Sequence, residues 1–303
     1  MKILVTGSSG FLGAALCAYL AQQGCELTGL TSRNCDLRKA ESLEKFAEDK
    51  YDIIFHLAAW TQAGDFCLKH PGEQWIINQQ INTNVLAWWA AQQPQAKLVF
   101  MGTSCAYAPG SGLRETDYMA GEPIDSLYTY AMTKRMLYQG ARALSKQFGL
   151  RYLCAVPSTL YGGGYHTDGR QMHFIFDLIR KIIRGKEYGE PVTLWGDGQQ
   201  KRELVLVDDF VRILWRLTQV FDNDIFNIGA GEEYSIRTFA DQICEIVGYP
   251  SERIEYDTSR YVGAKSKCLN IEKIKAALPG YSLQPLELGL QKTVRWFYEA
   301  NVR

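Results

Sequence analysis

Lys2-Ile3-Leu4-Val5-Thr6-Gly7-Ser8-Ser9-Gly10-Phe11-Leu12-Gly13 is the stretch whose reading decides the fold. Its first five residues are a short apolar run that reads as a strand, and Ala14 to Gln23, after the last glycine, is a good helix former. Glycines at Gly7-x-x-Gly10-x-x-Gly13 permit a tight turn and a close backbone approach, and a helix amino terminus placed there stabilises anionic oxygens. The spacing differs from G-x-G-x-x-G but serves the same physics, so the stretch reads as a dinucleotide cradle.

Working outward, Glu26 to Leu30 is a second strand that ends without an acidic residue to accept ribose hydroxyls. It runs instead into Thr31-Ser32-Arg33, and a guanidinium there suits a 2′-phosphate, which favours NADP(H) over NAD. Strand patterns then alternate with helical ones: Ile53 to Leu57, helix 73–92, Leu98 to Met101, helix 127–148, and Tyr152 to Val156. Such alternation predicts an α/β, Rossmann-type doubly wound parallel sheet. Past Pro157 the texture changes to a glycine-rich loop reaching Gln171, followed by helices over 172–184 and 205–218 and a strand over 225–228. Helices near 235–247 and 286–300 close the chain. The organisation predicts a dinucleotide-binding domain over 1–156 with a return segment at 203–228. Residues 157–202 and 229–303 form a smaller substrate-binding lobe in this reading.

Balanced charge, with 33 basic and 33 acidic residues, carries no polybasic footprint for nucleic acid. No apolar run approaches the ~18 residues of a membrane span, so neither a nucleic acid nor a membrane partner is expected. The eight cysteines lack C-x-x-C spacing, which is simplest as reduced thiols in the cytoplasm. Four scattered histidines without ligand spacing predict no metal site.

The chemistry concentrates in three clusters, Thr103-Ser104-Cys105, Tyr130-x-x-x-Lys134 and His173. Tyr130 and Lys134 leave one face of a helix, where an ammonium is expected to lower the phenol towards usefulness at neutral pH. Thr103 follows an apolar strand, at the carboxyl end where ligands bind in open α/β sheets. Cys105 and His173 are candidate acid/base groups for carbon, while His56 is expected to pack under the cofactor and His70 and His166 to lie in loops. Trp195-Gly196-Asp197-Gly198 with Arg202 presents an aromatic ring and a guanidinium to a nucleotide diphosphate, or else folds as a hairpin around a core tryptophan.

Together with His56-Leu57-Ala58-Ala59, Asn84-Val85, Pro157-Ser158-Thr159-Leu160-Tyr161-Gly162 and Arg202-Glu203-x-x-x-Val207-Asp208-Asp209, these motifs resemble the extended short-chain dehydrogenase/reductases that act on nucleotide sugars. Within them the Thr-Ser-Cys strand end and the Met172-His173 helix start are most similar to the GDP-L-fucose synthase branch, epimerase/reductases of a GDP-4-keto-6-deoxy sugar. The resemblance implies NADPH, a Thr103/Tyr130/Lys134 reductase triad, Cys105 and His173 as an epimerising pair for C3 and C5, and a homodimer. It places cofactor contacts at Gly7, Ser9, Gly10, Phe11, Leu12, Gly13, Arg33, Asp36, Leu37, Leu57, Ala58, Ala59, Tyr130, Lys134 and Pro157. Substrate contacts fall at Thr159, Lys181, Trp195 and Arg202. Thr159 stands where the branch usually has Asn, and Lys181 where it has Arg, which leaves related GDP-linked keto sugars open. A C4 reductase or C4 epimerase in which Cys105 and His173 only pack is the alternative, and a silent dinucleotide-binding scaffold is a third. Helices 73–92 and 127–148 also carry Trp75, Ile76, Trp88, Trp89, Met132, Leu137 and Tyr138 over more than one stripe, which predicts a two-fold dimer through them.

Overall fold

Strands apolar on both faces fold stably only where helices cover both sides of the sheet, and that requirement shapes the molecule. The computed structural model describes residues 1–259 and 265–300. Its first part comprises β1 (Lys2–Thr6), α1 (Phe11–Gln22), β2 (Glu26–Leu30), β3 (Ile53–His56), α2 (Phe66–Lys69), α3 (Pro71–Gln92), β4 (Lys97–Met101), α4 (Tyr128–Phe148) and β5 (Tyr152–Pro157). Then follow β6 (Thr159–Tyr161), α5 (Phe174–Tyr188), β7 (Thr193–Trp195), β8 (Lys201–Arg202), β9 (Leu204–Leu206), α6 (Val207–Val220) and β10 (Asp224–Ile228). The last elements are β11 (Tyr234–Ser235), α7 (Ile236–Val247), β12 (Glu255–Asp257), α8 (Glu272–Ala277) and α9 (Leu286–Glu299).

The expected parallel sheet is present, six-stranded in the order β10-β5-β4-β3-β1-β2. Strand order reverses at β1, whose neighbours β2 and β3 lie on opposite sides, so a crevice opens beyond the carboxyl ends of β1 and β3. Side chains divide by the period of two: Leu4, Ile54, Leu98 and Phe100 face α3 and α4, packing with Trp89 and Leu137. Ile3, Val5, Phe55 and Val99 face the other way, against Leu16 and Leu20 of α1 and Phe210 and Leu214 of α6. A third cluster joins α5, α7 and α9 through Ile179, Phe239 and Phe297. Phe11 links it to the sheet, edge-on to Tyr165 at 5.3 Å and to Phe176 at 5.7 Å between ring centroids.

Two differences from the sequence reading have physical causes. The helix expected from Val205 begins at Val207, because Leu204–Leu206 pair in parallel with β6 as a separate two-stranded ladder. A three-residue apolar run carries no period that separates strand from helix, and here the partner strand decides. On α3 and α4, Trp88, Trp89, Leu137 and Tyr138 belong to the chain's own core, whereas Trp75 and Ile76 are exposed. The unspent apolar surface is therefore narrower than the sequence suggests.

Tight packing of the first turn explains its glycines. Gly7 has φ of +68°, and a Cβ on it would meet the Ala58 nitrogen at 2.9 Å; one on Gly13, inside α1, would lie 2.1 Å from the Gly7 carbonyl oxygen. Gly13→Ala is accordingly expected to cost about 1–3 kcal/mol, as overpacking does, read from the midpoint of urea unfolding. An unchanged midpoint would show that this turn yields freely.

Candidate active site

Most expected cofactor contacts gather at the carboxyl edge of the sheet. Ser9 lies in the turn after β1, and Phe11, Leu12 and Gly13 form the first turn of α1, whose amides have no helical carbonyl behind them. With Gly7 and Gly13 unable to carry a side chain, backbone lines this recess, and an anionic diphosphate fits it. Leu57 and Ala58 donate their amides to Thr6 Oγ1, both at 3.1 Å, which draws the loop after β3, including Ala59, against the end of β1. Thr6 Oγ1 also meets His56 Nδ1 at 2.9 Å, and His56 Nε2 meets Asn82 Oδ1 at 3.1 Å. His56 is buried, and burial holds its imidazole at about 4, hence neutral.

After β2, Asn34 shapes the turn: its side chain accepts from the Thr31 amide at 2.7 Å and donates to the Gly29 carbonyl at 2.9 Å. Arg33 is exposed on that turn. Asp36 is tied up in a fork with Arg38, both contacts at 2.8 Å, and this hydrogen bonding holds its carboxyl at about 2. Arg38 is thus a second cation beside Arg33 that the sequence reading did not single out. The Leu37 side chain is buried in the core, so its backbone is what remains for a ligand.

Thr103, just beyond β4, joins the catalytic candidates. Its hydroxyl accepts from the Cys105 amide at 3.2 Å and lies close enough to the Cys105 thiol and the Tyr130 phenol to favour the ionised form of each. Lys134 is buried one turn along α4 from Tyr130. The expected depression of the phenol by Lys134 is not found. Burial pushes Tyr130 above its ordinary value, the neighbouring Cys105 sulfur adds to this, and the Thr103 hydroxyl opposes it. Burial also brings Lys134 down to about 8, weakening the cation that was to act on the phenol. Desolvation thus dominates the proton affinity of both groups.

Cys105 moves the other way. Burial pushes its thiol up, but the Lys267 ammonium, donating from Nζ to Sγ at 3.1 Å, carries it below the ordinary value. Lys267 is 162 residues away in sequence and was missed, since nothing local to it signals a site. His173 caps the start of α5, and burial, His166 and Lys267 lower its imidazole, in that order. These surroundings favour the uncharged imidazole of His173.

Around this centre Pro157 ends β5 and Thr159 lies half-buried in β6. Lys181 is held on α5 by Asp177 at 3.0 Å and by the Thr193 carbonyl at 3.2 Å, two residues before Trp195. The hairpin with a core tryptophan is not formed: β7 pairs with β12, β8 pairs with β11, and Trp195 is 54% exposed. Arg202 is half-buried on β8.

A family model described as the NAD dependent epimerase/dehydratase family matches residues 3–229, three-quarters of the chain. The chain belongs to that family. Among relatives of this epimerase/dehydratase, GDP-L-fucose synthase of Azorhizobium caulinodans is 27% identical over 99% of the chain and 97% of its own length. The dTDP-4-dehydro-6-deoxy-D-allose reductase of a Streptomyces species is 28% identical over 97% and 95% respectively. A GDP-L-fucose synthetase of Naegleria fowleri, solved bound to NADP, superposes with a TM-score of 0.89 at 23% identity, covering 99% of this chain and 93% of that one.

Proposed function

We propose that this epimerase/dehydratase family member is an NADPH-dependent epimerase/reductase of a GDP-4-keto-6-deoxy sugar, inverting C3 and C5 before reducing C4. The observation that carries the reading is the Thr103 hydroxyl, which accepts from the Cys105 amide at 3.2 Å and acts on both the Cys105 thiol and the Tyr130 phenol. It ties a proton donor for a carbonyl oxygen to a base for the neighbouring carbon. The fucose synthase relative supports the sugar class, and the glycine recess and exposed Arg33 support the cofactor.

A ketone at C4 acidifies the hydrogens at C3 and C5. Thr103 and Tyr130 hydrogen-bond O4 and stabilise the enolate that forms when Cys105 removes such a hydrogen. His173 returns a proton on the other face, which requires it first to be charged. Bound NADPH supplies the hydride at C4. Tyr130, kept protonated by burial, then gives its proton to O4, and Lys134 lies one turn away to offset the charge left behind. A C4 reductase without epimerisation is the second reading, favoured by the allose reductase relative at 28% identity, against 27% for the fucose synthase.

Trp75 and Ile76 of α3, with Tyr128 of α4, stand exposed on one side, and we propose that a second copy covers them in a two-fold dimer. The cysteines are all free thiols, which suits the cytoplasm. No described helix is long and apolar enough to cross a membrane.

Three outcomes are expected. In D₂O, enzyme with oxidised cofactor exchanges the C3 and C5 hydrogens of the 4-keto sugar, and Cys105→Ala slows this by about 10²–10⁴-fold. Exchange falls on the acid side as the thiolate is lost and on the alkaline side as His173 is discharged, and the lowered values of both groups move both limbs towards acid. Undiminished exchange in Cys105→Ala and His173→Ala, read by mass spectrometry, favours the plain reductase. Arg33→Ala is expected to erase about 1–3 kcal/mol of preference for NADPH over NADH in steady-state kinetics, the worth of one charge-assisted contact; equal use of both by the unaltered protein contradicts the assignment. Light scattering should give a dimer mass that drops to a monomer in Trp75→Glu/Ile76→Lys, and a monomeric unaltered protein rules the dimer out.

A further inference from the structure

We propose that Lys267 is a positioning residue whose ammonium, held against Cys105 Sγ, readies that sulfur to act as the base for carbon. The proposal rests on the epimerase reading for its use, and on geometry for its substance. Lys267 Nζ lies 3.1 Å from Cys105 Sγ, a charge-assisted contact between a cation and the one thiol of the chain that follows the catalytic threonine.

A long flexible side chain is a poor electrostatic device unless its backbone is fixed, and here it is fixed on both sides. Glu233 accepts from the Lys267 amide at 3.0 Å and from the Ser266 hydroxyl at 2.7 Å. Buried Glu203 accepts from the Leu269 amide at 3.0 Å and from the Gly231 amide at 2.7 Å. Asn227 of β10, itself buried, donates to the Asn270 carbonyl at 2.9 Å. Two carboxylates and an amide thus anchor a short extended run of chain at the edge of the sheet, aiming one ammonium at one sulfur. Glu203 and Glu233 meet the run through its backbone and the Ser266 hydroxyl, which leaves the Lys267 ammonium to the thiol side.

The groups facing Cys105 from other elements do not replace that cation. Thr103 contributes a hydroxyl, Tyr130 of α4 a protonated phenol and Cys67 of α2 a thiol that burial holds up. Beyond Lys267 lie His173 and His166, both imidazoles lowered by burial. Among the described residues Lys267 is the cation in contact with the Cys105 sulfur, and its field acts on both members of the epimerising pair, drawing the proton from Cys105 and discouraging one on His173. In the reaction, the thiolate takes the proton of the carbon next to the ketone, and the C–H electron pair moves into the enolate, with its charge on O4. Cys105 becomes a neutral thiol, Lys267 is left to face the new anion, and no oxidant or reductant is involved.

The test needs no substrate. Iodoacetamide alkylation of Cys105, followed by peptide mass spectrometry across pH, should show a midpoint clearly below the ordinary thiol value of about 8.5 in the unaltered protein. Lys267→Met should move it up to that value or beyond, with alkylation at neutral pH falling about tenfold for each pH unit regained, while Lys267→Arg keeps it low. His173, followed by its ring-proton NMR signal, should titrate higher in Lys267→Met. An ordinary midpoint in the unaltered protein, or one unmoved in Lys267→Met of native near-UV circular dichroism, overturns the proposal. The first of these needs no variant, so a variant that fails to fold leaves the proposal exposed. A low, Lys267-dependent midpoint in a protein that exchanges no deuterium into substrate upholds the electrostatic assignment and removes the epimerase reading, and the converse pattern does the reverse.

Discussion

Everything at the carboxyl edge of the sheet depends on one buried polar chain that runs from Thr6 through His56 and Asn82 to the Thr133 carbonyl. Each member is shielded from water, so each must find its partner within the protein or cost the fold the desolvation of an unpaired group. Meeting that demand fixes β1 to β3 through Thr6, β3 to α3 through His56, and α3 to α4 one residue before Lys134. The cofactor turn and the catalytic helix thereby share one frame. Because burial holds His56 at about 4, this run of hydrogen bonds carries no charge at working pH.

Within that frame, neighbouring groups are driven apart in proton affinity. Burial raises the Tyr130 phenol and lowers Lys134 to about 8, while Lys267 overcomes burial at Cys105 and takes the thiol down. Such separation assigns roles among chemically similar groups. A phenol that keeps its proton is suited to give it up late, to an oxygen gaining charge. A thiol that gives up its proton more readily is suited to act early, on carbon. Thr103 accepts from the Cys105 amide, and its own amide donates to the hydroxyl of fully buried Tyr118 at 3.3 Å.

The sequence made the sheet and the cofactor turn legible because strands, glycines and the first helix turn are local signals. The clustering of Thr103, Cys105, Tyr130 and Lys134 was legible too, since strand ends in a parallel sheet converge on one edge. Lys267 was not, because its meaning lies in a contact across 162 residues and in anchors, Glu203 and Glu233, whose carboxylates serve backbone amides rather than a pattern. Val205 and Leu206 read as helix because the short apolar run Leu204–Leu206 has no period of its own. The breadth of the apolar stripe on α3 and α4 misled for a related reason: sequence shows which residues are apolar, and only packing shows that Trp88 and Trp89 are already spent on the core. The pull of Lys134 on Tyr130 was overestimated because spacing along a helix reveals proximity and says nothing of the desolvation that both groups undergo together.

The configuration of the reduced product tests the central claim most directly. Incubation with GDP-4-keto-6-deoxymannose and NADPH, followed by proton NMR of the purified nucleotide sugar, reads C3, C4 and C5 from their coupling constants in one spectrum. The account predicts an L-configured 6-deoxy sugar, inverted at both C3 and C5 and reduced at C4. A D-configured product reduced at C4 with C3 and C5 unchanged would contradict it.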